Sequence, residues 1–238
     1  MNSETPRAPN RVLDLQELDE PFFAHTLQHL DALERRDSIS YLHPSKRWEY
    51  PWALDRACLA PGSRVLDAGC GASIFPVFLA KLEHQVSAVD LEVPEGLDRA
   101  HGVTIDYRRA GLTELPFPDR HFDAVFCISV IEHLGHQGVP HALQELRRVV
   151  RPGGRLLLTT DFYEDADAEL WHEGDGGSFP VDWDFFDPNL LRQFLLQAPG
   201  LEVEGEVDLR VDWKQVRPAM RRFHGYPYTS VGVTLVRR

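Results

Sequence analysis

The sequence predicts an α/β domain built on a mostly parallel sheet with helices on both faces. Three observations predict it. From Arg64 onward, apolar runs of four to seven residues alternate with helical stretches. Runs such as "AVFCISV" are apolar at consecutive positions, so both faces of each strand are expected to be buried. The first run opens into "DAGCGAS", a glycine turn leading from a strand into a helix. With 238 residues, 43% hydrophobic and 26% charged, the chain has material for one large core.

Taken in order, residues 1–12 read as a flexible tail. Between Pro21 and Arg35, Phe22, Phe23, Leu27, Leu30 and Leu33 fall near helical spacing. "YLHPSKRWEYPWAL", Tyr41 to Leu54, is aromatic and broken by prolines; it is expected to be irregular and to lead into a short helix. Residues 1–60 are thus assigned to a helical N-terminal segment that can serve as a lid, and 61–238 to the main domain. Within that domain, Val65–Leu66 is a first strand and Phe75 to Leu82 a helix. Val86 to Val89, Val103 to Tyr107 and Phe122 to Val130 are the next strands. In "VPHALQELRRVV" the apolar residues Val139, Ala142, Leu143, Leu146, Val149 and Val150 line one helical stripe. "RPGG" stops that helix, because proline cannot extend the ladder and glycine permits a left-handed turn. "RLLLTTD" is a fifth strand, and a late strand around Val231 to Val236 is expected to pair with one near Leu201 to Val207.

The net charge of −12 repels nucleic acid and anionic membrane surfaces at long range, so neither is an expected partner. No run approaches a membrane helix, and "MNSETPRAPN" lacks the apolar stretch of a secretory signal. Cys58, Cys70 and Cys127 form no CxxC pair; reduced thiols in a cytoplasmic protein are expected. Arg217, Arg221, Arg222 and His224 form a local basic stretch, read either as solvated surface or as a pocket for an acidic group.

The glycine turn allows the backbone to approach a ligand closely. Asp90, nineteen positions after Gly71, ends the second strand, where a carboxylate can accept hydrogen bonds from the two hydroxyls of a ribose. A dinucleotide fingerprint requires a third glycine where this chain has Ile74, so that reading fails. "VLDAGCGAS", Asp90, "LPFPDRHFDAVFCISVIEHL" and "ELRRVVRPGGRLLLTT" follow one another in the order found in class I S-adenosylmethionine-dependent methyltransferases, which the chain resembles from Arg64 to about Asp161. The resemblance implies a Rossmann-like sheet of seven strands with the last antiparallel, and S-adenosylmethionine as cofactor. It implies that Asp67, Gly69, Cys70 and Gly71 border the methionine part, that Asp90 holds the ribose and that Leu91 packs on adenine. Leu112 would lie near adenine, and Cys127 and Ile128 would line the methionine moiety. Two departures stand out: Ser73 replaces the last glycine of the usual turn, and Gly111 or Leu112 replaces an acid that often meets the adenine amine.

Methyl transfer is an in-line displacement that gains most from alignment and exclusion of water. His133 in "SVIEHL" and Asp161 in "TTDFYED" both leave strands at the carboxyl edge of the sheet, and both are candidate bases, with Glu132 a candidate to orient His133. Ser129 stands where some quinone O-methyltransferases carry the first acid of a metal-binding ExxEH, so no metal is expected. Tyr163, Trp171, Phe179, Trp183, Phe185 and Phe186 form an aromatic span that can cover an acceptor, and Arg47 and Tyr50 are candidate lid contacts. The expected function is methylation of a small molecule, most often at oxygen; nitrogen or carbon acceptors, or a non-catalytic cofactor-binding protein, are the alternatives.

Overall fold

The computed structural model describes residues 7–37, 43–174 and 177–238. Tyr41 and Leu42, the first six residues of the expected tail, the centre of "EGDGGSFP" and the side chain of Phe179 lie outside the described residues. The chain runs through β1 (Asn10–Val12), α1 (Pro21–Asp37), α2 (Lys46–Ala57), β2 (Arg64–Ala68), α3 (Phe75–Lys81), β3 (Gln85–Asp90), α4 (Leu97–His101), β4 (Ile105–Arg109), β5 (Phe122–Ile128) and α5 (Gly135–Val149). It continues through β6 (Val150–Phe162), β7 (Trp171–Gly174), β8 (Gly177–Pro180), α6 (Pro188–Leu191), β9 (Leu201–Val203), β10 (Val207–Asp208), α7 (Trp213–His224) and β11 (Thr229–Arg237).

A nine-stranded sheet runs in the order β10-β1-β11-β6-β5-β2-β3-β4, with β9 also on β11. The strands β4, β3, β2, β5 and β6 are mutually parallel. β11 is antiparallel to β6 from Thr229↔Phe162 to Val236↔Arg155. Order reverses between β2 and β5, which opens a crevice at their carboxyl ends. One core cluster joins one face of the sheet to α5 and the Leu112–Phe117 loop, and a second joins the opposite face to α1, α2 and α3. Both faces are therefore dry, as the continuous apolar strands require.

Three expectations are corrected. Residues 10–12 are a strand, not tail: Asn10 is fully buried, its amide nitrogen donates to the carbonyls of Glu204 and Glu206 at 2.9 and 3.0 Å, and its amide oxygen accepts from the Thr234 amide at 2.6 Å. Among the described residues the sheet holds nine strands rather than seven, because the short β1, β9 and β10 share the ground beyond β11. The third expected strand begins at Ile105, not Val103, because the Val103 amide caps α4 by donating to the Asp98 carbonyl at 3.0 Å. α2 lies directly on the sheet; a Cβ at Gly232 would meet the Trp52 ring at 2.6 Å.

Asn10→Ala takes their side-chain partner from the buried Thr234 amide and the part-buried Glu204 carbonyl and is expected to cost about 1–3 kcal/mol. Thermal unfolding should show a midpoint lowered by roughly 2–4 °C per kcal/mol; an unchanged midpoint contradicts the role given to Asn10.

Candidate active site

β2 ends in a turn whose glycines take left-handed conformations, Gly69 at φ +87° and Gly71 at φ +50°. The Gly69 and Cys70 amides both donate to the Val89 carbonyl, at 2.8 and 3.1 Å, which ties the turn to the end of β3. The next residue is Asp90. One of its carboxylate oxygens accepts from the Gly71 amide at 2.7 Å and the other from the Leu91 amide at 2.7 Å. The acid and the turn therefore meet as the spacing predicts. A Cβ at Gly69 would lie 2.4 Å from the Val130 side chain, whereas one at Gly71 meets nothing within 4 Å. The first glycine admits a neighbouring side chain; the second presents bare backbone to open space. Ser73, the departure from the usual glycine, has no positive φ, so the turn needs no glycine there.

A cavity of about 340 Å³ opens beside this turn. Its walls are Gly69, Asp90 and Leu91 from the first two strand ends, the Ala110–Thr113 loop after β4, and Ser129, Val130, His133 and Leu134 after β5. Gly69, Asp90, Leu91, Leu112 and His133 are thus brought to one place. Leu91 is 70% exposed at the rim, so a flat ring can stack on it without displacing packed protein. The other expected cofactor contacts do not line this cavity. Cys127 and Ile128 are buried in opposite core clusters, and burial pushes the Cys127 and Cys70 thiols up, so they act as small packed hydrophobes. Asp67 is buried too; loss of solvent, reinforced by the Asp90 charge, raises its carboxyl to about 7.

The second group of chemical side chains lies where β6 ends. Asp161 is buried and accepts from the Trp183 indole at 2.8 Å and from the Tyr228 hydroxyl. Burial, then the charge of Glu49, raises its carboxyl to about 7 against the pull of Lys46 and these two hydrogen bonds. Glu132 does not orient His133. Its carboxyl faces inward, accepting from the Thr160 hydroxyl and the Asp161 amide at 3.3 Å each, and burial beside Asp161 holds its pKa well above the usual range. His133 instead faces Trp183, ring centres 5.6 Å apart, with its pKa lowered by desolvation and by Lys46. Trp183 continues to Tyr226 and Tyr228 at 6.0 and 6.5 Å, and His224 lies 5.1 Å from Tyr228 and 5.3 Å from His43. Rings from separate loops therefore connect the cavity mouth to Asp161.

The basic stretch near the end of the chain is split: Arg222 lines a separate cavity of about 650 Å³ with Arg7, Arg11 and Arg210, and its other members face elsewhere. Arg217 pairs with Glu164 and lies over Tyr163, while His224 turns inward and is buried against the rings of His43, Tyr226 and Tyr228. Arg47 binds Asp31 at 2.8 and 3.2 Å and joins α1 to α2. Tyr50 does reach the glycine turn: its ring stacks on Phe75 at 4.2 Å and its hydroxyl bonds Ser73. Lys46 and Glu49, read as part of an aromatic lid, are the residues sequence reasoning missed. Lys46 donates to Glu49 at 2.8 Å, and Glu49 is fully buried. The usable signal was its place between Trp48 and Tyr50, where an acid can be buried only with partners. Among the described residues, no three His, Cys, Asp or Glu side chains gather to hold a metal ion, and no helix is long and apolar enough to cross a membrane.

A doubly covered sheet with a nucleoside-sized crevice at its order reversal defines a class of cofactor-binding α/β proteins. Residues 66–158 match the family model described as a methyltransferase domain. A ubiquinone biosynthesis O-methyltransferase from Xanthomonas oryzae is 35% identical over 170 residues, covering 67% of this chain and 66% of that protein. One from Pseudomonas aeruginosa is 31% identical over 134 residues, 53% of this chain and 56% of its own length. The chain spans about half the length of several of the curated relatives it matches. In fold, it is similar over 98% of its length and 92% of the other chain to a Burkholderia thailandensis 1,6-didemethyltoxoflavin N1-methyltransferase solved with S-adenosylhomocysteine, at TM-score 0.59 and 19% identity. The chain belongs to the class I S-adenosylmethionine-dependent methyltransferases.

The two turn glycines are expected to respond differently. Gly69→Ala forces a Cβ into Val130 and should destabilise the protein by about 2–4 kcal/mol. Gly71→Ala adds only the left-handed backbone cost of about 1–2 kcal/mol. Equal losses in chemical denaturation would contradict this division of roles.

Proposed function

We propose that this protein transfers a methyl group from S-adenosylmethionine to an oxygen atom of a small-molecule acceptor. The observation that carries the reading is Asp90, held by two backbone amides at the lip of a cavity whose opposite side is the glycine turn. The residues present fit the cofactor. The Asp90 oxygen that accepts from Gly71 keeps a lone pair for a ribose hydroxyl, and the other, which accepts from Leu91 and only at 3.5 Å from Glu92, can exchange that long contact for the second hydroxyl. Leu91 and Leu112 offer apolar contact for a base, and the Ala110–Thr113 loop offers backbone groups in place of the missing acid. Gly71 leaves room for the amino-acid end, with Asp67 behind the turn contributing negative charge when ionised. Cys70, Cys127 and Ile128 support this reading as packing behind the walls rather than as contacts.

When bound, the cofactor supplies a methyl group on a positively charged sulfur that leaves as a neutral thioether. The chain's own work is alignment, desolvation and proton removal. Trp183, Tyr226 and Tyr228 give the acceptor apolar walls and keep water from the reacting atoms. Asp161, aimed by Trp183 and Tyr228, accepts the acceptor's hydroxyl proton; its raised pKa makes it a base poised near neutrality. His133, neutral at pH 7 because its pKa is lowered, is the second base, at the cavity mouth. The oxygen preference is supported by these two bases and by the O-methyltransferases that are 31–35% identical to the chain. Residues 1–60 act as the lid of the site and 61–238 as the catalytic domain. Three unpaired cysteines suit a reducing compartment, and we place the protein in the cytoplasm. A net charge of −12 supports a small molecule over nucleic acid as acceptor.

Asp90→Ala should weaken S-adenosylhomocysteine binding by about 1.5–3 kcal/mol, since charged hydrogen bonds are lost; calorimetry giving unchanged affinity overturns the ribose assignment. Turnover of a phenol panel, followed by S-adenosylhomocysteine release, should rise with pH through about 7 as Asp161 becomes ionised and able to take a proton. Asp161→Asn should remove that limb and slow turnover by about 10²–10⁴-fold, while leaving S-adenosylhomocysteine affinity intact. A retained rate removes Asp161 as the base.

A further inference from the structure

Helix α2 touches both the glycine turn and the β5 exit, the two segments that meet at the cavity. On one side, Tyr50 stacks on Phe75 and bonds Ser73 of the glycine turn. On the other, fully buried Glu49 accepts from the Ser129 hydroxyl at 2.9 Å, and Lys46 donates both to Glu49 at 2.8 Å and to the Ile128 carbonyl at 3.4 Å. Ser129 is itself unusual. It leaves β5 with a left-handed φ of +52°, and its amide donates to both the carbonyl and the hydroxyl of Thr159 at 3.1 Å. Its neighbour Val130 packs over Gly69, and both Ser129 and Val130 line the cavity.

A non-glycine residue stays left-handed only where its surroundings over-determine it. Thr159 holds the Ser129 backbone, and Glu49 holds its side chain. Glu49 in turn needs Ser129 and Lys46, because a buried carboxylate without partners is costly. The seating of α2 and the conformation of the β5 exit therefore favour one another. Anything that fills the cavity rests on that same exit.

We propose that Glu49 is a positioning residue for the cofactor: through Ser129 it fixes the β5 exit in its cavity-forming geometry, so that seating of α2 and filling of the cavity are energetically coupled. This inference rests on the cavity being the S-adenosylmethionine site. Such coupling is reciprocal, so cofactor binding must also stabilise α2.

The test uses the full chain and its Glu49→Ala, Ser129→Ala and double variants, with near-ultraviolet circular dichroism to confirm folding. Calorimetry with S-adenosylhomocysteine should show each single variant binding about tenfold more weakly, within the usual range of coupling. The double variant should bind no more than about twofold more weakly than Glu49→Ala alone, because both changes cut one link. Hydrogen exchange supplies a readout that a merely structural role would not move: S-adenosylhomocysteine should slow exchange of the α2 amides in the wild type but not in the variants. Folded variants with wild-type affinity, additive losses in the double variant, or α2 protection that survives Ser129→Ala each overturn the proposal. If Glu49→Ala does not fold, Ser129→Ala decides by affinity and exchange. If the wild type itself does not bind S-adenosylhomocysteine, the cofactor reading fails and the coupling with it; if it binds and only the variants' predicted losses are missing, the coupling alone fails.

Discussion

The hydrogen bond from the Gly71 amide to the Asp90 carboxylate is the contact on which the rest of the site depends. It joins the end of β2 to the end of β3, and it costs an acid one lone pair while leaving that acid at the cavity lip. Both partners are set by the backbone: a left-handed glycine that turns its amide outward, and a parallel strand pair in register from Arg64↔Gln85 to Ala68↔Val89. A slip of one residue in that register would send Asp90 to the other face of the sheet. The dry core on both faces is what forbids the slip, so the packing of the sheet and the aim of the carboxylate are one constraint.

A second constraint separates the two acids at the carboxyl ends of β3 and β6. Asp90 sits at the rim, held by two amides, and keeps accepting capacity for a ligand. Asp161 sits in a buried aromatic setting that raises its pKa toward neutrality. One environment suits binding a diol; the other suits taking a proton. Glu132 shows how fine the difference is. It is adjacent to His133 in sequence, yet its carboxyl points inward to Thr160, and burial beside Asp161 holds its pKa well above the usual carboxylate range.

Most of the central sheet was legible in the sequence because continuous apolar strands and a one-sided helix stripe leave few alternatives; α5 buries Val139, Ala142, Leu143, Leu146 and Val149 as its spacing requires. The Gly71–Asp90 pairing was legible for the same reason, since one strand–helix–strand unit fixes the separation. The short strands β1, β9 and β10 were not, because two or three residues carry no period; Asn10 belongs to the sheet through its side chain, which no hydropathy pattern records. Lys46 and Glu49 were hidden for a related reason: a Lys–Glu pair three residues apart reads as a solvated helix face, and only the tertiary position of α2 buries it. Cys127 and Ile128 lie just before the Ser129–Val130 exit that builds the cavity wall, a distinction of one residue that an apolar run does not mark.

The most direct measurement of the central claim is a crystal structure with S-adenosylhomocysteine bound. The account predicts both ribose hydroxyls within hydrogen-bond distance of the Asp90 carboxylate, the adenine against Leu91 and Leu112, and the amino-acid end over the Gly69–Gly71 turn. A nucleoside found elsewhere in the fold, or an Asp90 carboxylate that makes no contact with its sugar, would contradict it.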